Sequence, residues 1–138
     1  MQKIKEQLFT TLEDILSTAS DIHIMTQNQE TIILHSSEHT MLSELAKNKQ
    51  EKILQLDALE KQFETIYMEH KGILTDKQDI IRLQSLVSKI METKEGISKA
   101  EEKNRRLWDG KGKPKVQAIP IQKPQSYIIE QYKKHKRE

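Results

Sequence analysis

A narrow apolar seam between Leu42 and Leu74 constrains the fold of this 138-residue chain more than any other feature. Alternating steps of three and four residues from Leu42 reach ten positions, of which seven are apolar: Leu42, Leu45, Leu56, Leu59, Phe63, Ile66 and Ile73. This spacing predicts one face of a helix about 50 Å long. Because an isolated helix with so narrow an apolar face is not stable in water, other helices must cover the seam.

Glycine and proline are distributed so that a long helical body is followed by a segment of different character. Neither residue occurs in residues 1–71, and all three prolines follow residue 110. The sequence therefore predicts an all-α protein, a long antiparallel three-helix bundle or coiled coil over residues 1–109. A flexible, proline-containing basic tail is expected over residues 110–138, with a short helix at 127–136.

Three helices are predicted in the body, at about 3–34, 41–71 and 76–108. No glycine or proline marks the first junction, so a single continuous helix through this point is the alternative prediction. At the second junction, Gly72 suits the left-handed position after a helix end, and Thr75–Gln78 matches a capping box. Positions on one face of the first helix are Ile4, Leu8, Leu12, Ile15, Ala19, Ile22, Met25 and Ile33, and those of the third are Ile80, Leu83, Val87, Ile90, Ile97, Asn104 and Trp108.

Polar residues interrupt these seams at Lys49, Lys52, Lys94 and Glu101. Three helices of similar length can cover one another's seams, and the polar positions then cluster inside the bundle. They mark either a locally hydrated coiled coil, which is the commoner case, or a thin part of the bundle where a partner docks.

The residues needed for catalysis or cofactor binding are absent or badly placed. The chain has no cysteine, which excludes disulfides and thiolate chemistry. His35 and His39 occur in an H-x-x-E-H pattern, which supplies zinc ligands in one class of metalloprotease. They lie at a predicted helix junction without a cleft, so a chance match on a solvated turn is the simpler interpretation. We expect no enzymatic activity, no cofactor and no metal site.

The apolar stretches are short. None approaches the eighteen or so residues of a membrane span, so stable membrane insertion is not expected. The N-terminal residues alternate polar with apolar and include acidic side chains, unlike a secretory signal. We therefore expect a cytoplasmic protein.

Charge is divided unevenly between body and tail. Residues 1–109 hold 15 basic and 19 acidic side chains, whereas residues 110–138 hold 8 and 2. The basic run Lys133–Arg137 is either a solvated C-terminus or a patch for phosphates or an anionic membrane surface. Apolar tail residues, costly to expose as a cluster, either fold back on the bundle or bind a partner. The predicted partner-binding residues are Asn104, Leu107, Trp108, Ile119, Ile121, Tyr127, Ile128 and Tyr132.

With these patterns the chain resembles the flagellar type III export chaperones, the FlgN kind first and the FliT kind second. The resemblance covers about residues 8–108 and rests on the length and on the acidic helical body. It includes the segment Leu42–Phe63, with Lys49 inside a Leu-x-x-Leu-x-x-x-Lys run, and the late Asn104-Arg-Arg-Leu107. The proline-broken tail departs from the family pattern.

The resemblance implies a small cytoplasmic chaperone that uses neither nucleotide nor metal. Such proteins hold the terminal segment of an export substrate, in that family the hook–filament junction proteins, and deliver it to the export gate. C-terminal segments serve client capture and gate docking, so Tyr127 or Tyr132 is expected to touch a gate component. Nucleic acid is not an expected partner.

Two functions from other classes stay open at this point. One is a structural coiled coil that self-associates, for example as a homodimer, through the Leu42–Ile73 seam. The other is a basic-tailed adaptor that binds nucleic acid or an anionic membrane.

Overall fold

The computed structural model of the chain describes residues 2–35, 39–70 and 72–110. It contains three α-helices: α1 spans Gln2–His35, α2 spans His39–Glu69 and α3 spans Lys77–Gly110. The predicted all-α bundle is confirmed, since these helices pack together and no strand occurs in the described ranges. Over the same ranges no helix is long and apolar enough to cross a membrane. The tail, including the helix predicted at 127–136, lies outside the described residues.

Successive helices run antiparallel, so α1 and α3 point in the same direction. Near the starts of α1 and α3, Lys5 forms an ion pair with Asp79 at 2.7 Å. Near their ends, Glu30 and Lys103 form another at 2.6 Å. Because α2 returns along α1, the chain reverses direction between them and the two helices are not continuous.

α1 lies at the centre of the bundle. It packs against both other helices, whereas the backbones of α2 and α3 hardly approach each other. α1 therefore buries a broad face, while α2 and α3 each bury a narrow seam. We call the following residues the main core: Leu8, Phe9, Leu12, Ile15, Ala19 and Ile22 of α1, Ile53, Leu56, Phe63 and Ile66 of α2, and Leu83, Val87, Ile90 and Ile97 of α3.

In the turn between α2 and α3, the conformation of Gly72 is the predicted one, but the residue that caps α3 is not. Gly72 has a φ of 90°, the predicted left-handed conformation. Asp76, rather than Thr75, caps α3, because its carboxylate accepts a hydrogen bond from the backbone N–H of Gln78 at 2.9 Å. Since α2 ends before Gly72, Ile73 belongs to the turn and is only partly buried, instead of extending the α2 seam.

Two core positions differ from the expected ones by a single residue. Met25 and Lys52 are partly exposed, and Thr26 and Ile53 are buried in their place. In α1 the three-four spacing continues from Ile22 to Thr26, so the geometry of the helix turns a polar residue inward. In α2 Ile53 takes the inward position instead of its neighbour Lys52, because burial of the apolar isoleucine side chain is more favourable.

The main core predicts the effect of two substitutions in α2. Leu56 and Phe63 are each 1% exposed, so Leu56→Ala or Phe63→Ala should lower the free energy of unfolding by about 2–5 kcal/mol. Leu54, which is 59% exposed on the same helix, is the matched control. Leu54→Ala should change the free energy of unfolding by less than about 0.5 kcal/mol. Urea denaturation followed by circular dichroism measures all three. Equal small losses at the three positions would contradict this packing.

Candidate functional site

A group of polar side chains crosses the interior of the bundle at one level, and we call it the polar layer. Its members are Thr26 and Gln29 of α1, Lys49 of α2, and Glu101 and Asn104 of α3. Lys49 is 1% exposed, and its Nζ donates to Gln29 Oε1 at 2.6 Å and forms an ion pair with Glu101. The layer therefore joins all three helices through one ammonium group.

The three-four spacing explains why these side chains point inward. In α1, Ile22 precedes the layer and Ile33 follows it on the same face; in α3, Ile97 and Trp108 do the same. A polar residue between two buried apolar residues of one seam has no other direction to point. In α2 the seam likewise passes through Lys49, so the apolar positions on both sides fix the layer.

Burial has an electrostatic consequence for Lys49. Because removal from water disfavours the charged form, burial lowers the pKa of Lys49 to about 8. The ammonium group is therefore still mostly charged at neutral pH, next to the Glu101 carboxylate. A buried charge of this kind costs several kcal/mol unless it is paired, so the Glu101 contact is what makes the position tolerable.

Asn104 completes the layer with one hydrogen bond made and one missing. Its Nδ2 donates to the backbone carbonyl of Thr26 at 2.9 Å, which fixes the orientation of the amide. Its Oδ1 is buried and accepts no hydrogen bond from the described residues. Burial of the polar layer is thus costly, because not all of its hydrogen-bonding groups have a partner among the described residues.

A second ion pair between α2 and α3 has the opposite polarity. Here the acid, Glu60, lies on α2 and the base, Lys94, lies on α3, and both side chains are largely buried. The predicted clustering of polar seam residues is therefore only partial. Lys49 and Glu101 meet, Lys94 is paired at another level, and Lys52 pairs with Asp21 of α1 at 3.5 Å near the surface.

Beyond the polar layer, at the end of the bundle where α3 finishes, lies a small separate core. Ile33, Leu42 and Trp108 form this distal cluster, with Ile32 and Leu107 packed against it and partly exposed. A cavity of about 40 Å³ lies beside it, lined by Gln29, Ile33, Leu42, Glu101, Asn104, Arg105 and Trp108. The polar layer therefore separates three buried apolar side chains from the main core.

The same end carries exposed apolar surface. Leu34 and Met41 are 44% and 48% exposed, near the last turn of α1 and the first turn of α2. Together with the partly exposed residues of the distal cluster they give this end an apolar character.

The predicted site residues divide between the two parts of the chain. Asn104 belongs to the polar layer, Trp108 is 4% exposed in the distal cluster, and Leu107 is half-buried beside it. Their role in partner binding stays a prediction. The remaining five, Ile119, Ile121, Tyr127, Ile128 and Tyr132, lie outside the described residues.

Sequence reasoning missed Thr26 and Gln29, the α1 members of the layer. Counting apolar residues alone led to Met25 instead, although the three-four spacing from Ile22 passes through both polar positions. His35 is exposed at the end of α1. In the part of the chain that the structure describes, no three acidic or histidine side chains are grouped so that they could hold a metal ion.

A scan against protein-family models, a search of curated proteins and a search of solved structures each found no match for this chain.

The polar layer predicts strong coupling between Lys49 and Glu101. Lys49→Met leaves the Glu101 carboxylate without its counter-ion and should cost about 3 kcal/mol of unfolding free energy. Adding Glu101→Leu should return the double variant to within about 1 kcal/mol of wild type. The control is Lys99→Met in the exposed Lys99–Glu95 pair, with an expected change below about 0.5 kcal/mol. Additive losses in the double variant would show that the pair is not coupled.

The pKa of Lys49 also predicts how stability depends on pH. The unfolded chain keeps this proton up to about pH 10.5, whereas the folded chain releases it above about pH 8. Between these values the unfolded state binds more protons, so the free energy of unfolding rises with pH. Relative to Lys49→Met, wild type should gain about 1–2 kcal/mol between pH 7 and about pH 9.5. A relative loss would mean that pairing with Glu101 outweighs burial.

Proposed function

We propose that this chain is a cytoplasmic export chaperone of the flagellar type III kind. In this proposal it binds the terminal helical segment of hook–filament junction proteins and delivers them to the export gate. The proposal is supported by the resemblance of residues 8–108 to those chaperones. The structural observation that carries it is the distal cluster, a small apolar core set apart from the main core by the polar layer.

The distal cluster suits the reversible capture of a helix. Among the described residues, the buried apolar contact that holds this end of α3 comes from three side chains, one from each helix, and a Lys103–Glu30 ion pair lies nearer the surface. Local opening of α3 from Glu101 onward leaves the main core in place, so it costs less than unfolding the whole bundle. A client helix entering here packs its apolar face on Ile33 and Leu42, as amphipathic helices do in apolar grooves.

The end of α3 and the tail supply the remaining residues of the proposed client-binding site. Once it is moved aside, the end of α3 offers Leu107 and Trp108 to the other side of the client helix. The tail starts directly after α3 and adds Ile119, Ile121, Tyr127, Ile128 and Tyr132 close by in sequence. Aromatic side chains with a polar tip are frequent interface anchors, and one tail tyrosine is assigned here to the export gate.

Self-association through the α2 seam is less well supported than helix capture. Leu56 and Phe63, the centre of that seam, are buried inside the bundle and are not free to meet a second copy. Light scattering tests this alternative, which needs a stable dimer at low micromolar concentration together with no affinity for an export client.

Truncation tests the proposed function. Trp108 is the only tryptophan of the chain, so its emission reports binding at the distal cluster when the purified terminal segment of a hook–filament junction protein is added. A chain ending at Asp109 should keep nearly all of its helical circular dichroism but bind at least about tenfold more weakly, as loss of several interface anchors predicts. Full-strength binding by the truncated chain would place capture in the bundle alone.

The matched control neutralises Lys133, Lys134, Lys136 and Arg137 in the full-length chain. Here the salt dependence should change while affinity at moderate salt is largely kept, because apolar capture does not depend on released counter-ions. A steep loss of all binding with salt would favour the basic-tailed adaptor. If no hook–filament junction segment binds the full-length chain, the proposed function is wrong.

A further inference from the structure

The polar layer constrains what can replace the end of α3. Lys49 has one counter-ion among the described residues, Glu101, and that residue belongs to the helix that must move for a client to enter. The contacts of Lys49 with α1, through Gln29 and Thr26, are to neutral groups. A client helix without an acid that takes the place of α3 from Glu101 onward therefore leaves a buried ammonium group without a countercharge.

We propose that the captured helix carries an acidic residue two helical turns before its large apolar anchor. This inference rests on the proposed function. The end of α3 shows the pattern, because Glu101 and Trp108 lie seven residues apart on one face, about 10 Å along the axis. The acid meets Lys49 and the anchor fills the space beside Ile33 and Leu42. The partner is thus an amphipathic helix of defined charge, lying parallel to α3.

Of the polar groups at the described end of α3, the Glu101 carboxylate is the one that a partner must reproduce, because water can replace the more exposed Lys103–Glu30 ion pair. The Thr26 carbonyl, which Asn104 meets, lies inside α1 and has a backbone N–H of its own helix as a partner, so losing the amide costs little. Lys49 has no such substitute, since Glu101 is its one charged partner among the described residues and a helix in the place of α3 covers the ammonium group again. An amide in place of the acid offers a hydrogen bond but no countercharge.

Disulfide trapping on the full-length chain tests this charge requirement. The chain has no cysteine, so Met41→Cys introduces a single thiol at an exposed position next to the distal cluster. The probes are two synthetic peptides that copy residues 94–110 and end in an added cysteine, one with Glu101 and one with Gln at that position. Equal amounts compete for the thiol in a redox buffer, and mass spectrometry measures the ratio trapped.

The acidic peptide should be trapped about tenfold more than the Gln peptide, as expected for a buried ion pair against a neutral contact. In Lys49→Met the ratio should fall to about one, whereas in Lys94→Met, whose ion pair lies in the main core region, it should be unchanged. A third peptide, with its anchor seven residues before its acid, should be trapped no more than the Gln peptide.

The outcomes separate this inference from the proposed function. Trapping with a ratio below about threefold on the chain that retains Lys49 would overturn the acid requirement and leave helix capture intact. Trapping that depends on the acid but not on Lys49 would also overturn it. Because the comparison between peptides is made on the chain with Lys49 in place, it does not depend on how well Lys49→Met folds. If no peptide is trapped above a scrambled sequence, capture at the distal cluster itself is wrong.

Discussion

The contact between the Lys49 ammonium group and the Glu101 carboxylate decides how the interior of this bundle is organised. A buried lysine is expensive, and its cost is offset only while α3 supplies the opposite charge. Because the pair crosses the bundle near one end, it divides the apolar interior into two unequal parts. The larger part supplies most of the stability, and the smaller part depends on three side chains and on the pair itself.

The two ion pairs between α2 and α3 also fix how these helices align. Lys94 and Glu101 are separated by one seven-residue repeat, the interval at which a coiled-coil seam repeats itself. Sliding α3 by that interval brings Lys94 opposite Lys49, or Glu101 opposite Glu60, and both arrangements place like charges together. Apolar residues alone would not distinguish these alignments, so the polar pairs give up some stability and define a single one.

Much of the fold could be predicted because it depends on local spacing. The α3 seam, including Lys94 and Glu101, continued without a break, and the left-handed conformation of Gly72 followed from its position. The partner of Lys49 was not predictable, because it depends on the alignment of α2 with α3, which the spacing within either helix does not give. The choice of Asp76 over Thr75 as the cap of α3 was not predictable for a different reason, since two suitable capping residues were adjacent.

The central position of α1 has a consequence for how the chain folds while it is being synthesised. Its contacts with α3 join residues that are far apart in sequence; the hydrogen bond from Asn104 to Thr26 spans 78 positions. Such distant contacts raise the contact order of what is otherwise a helical bundle, and helical bundles usually fold through local contacts. During synthesis the α1–α2 hairpin emerges first, and α3 can dock only after it has left the ribosome. The face of α1 that α3 covers is therefore the apolar surface that a new chain exposes for longest.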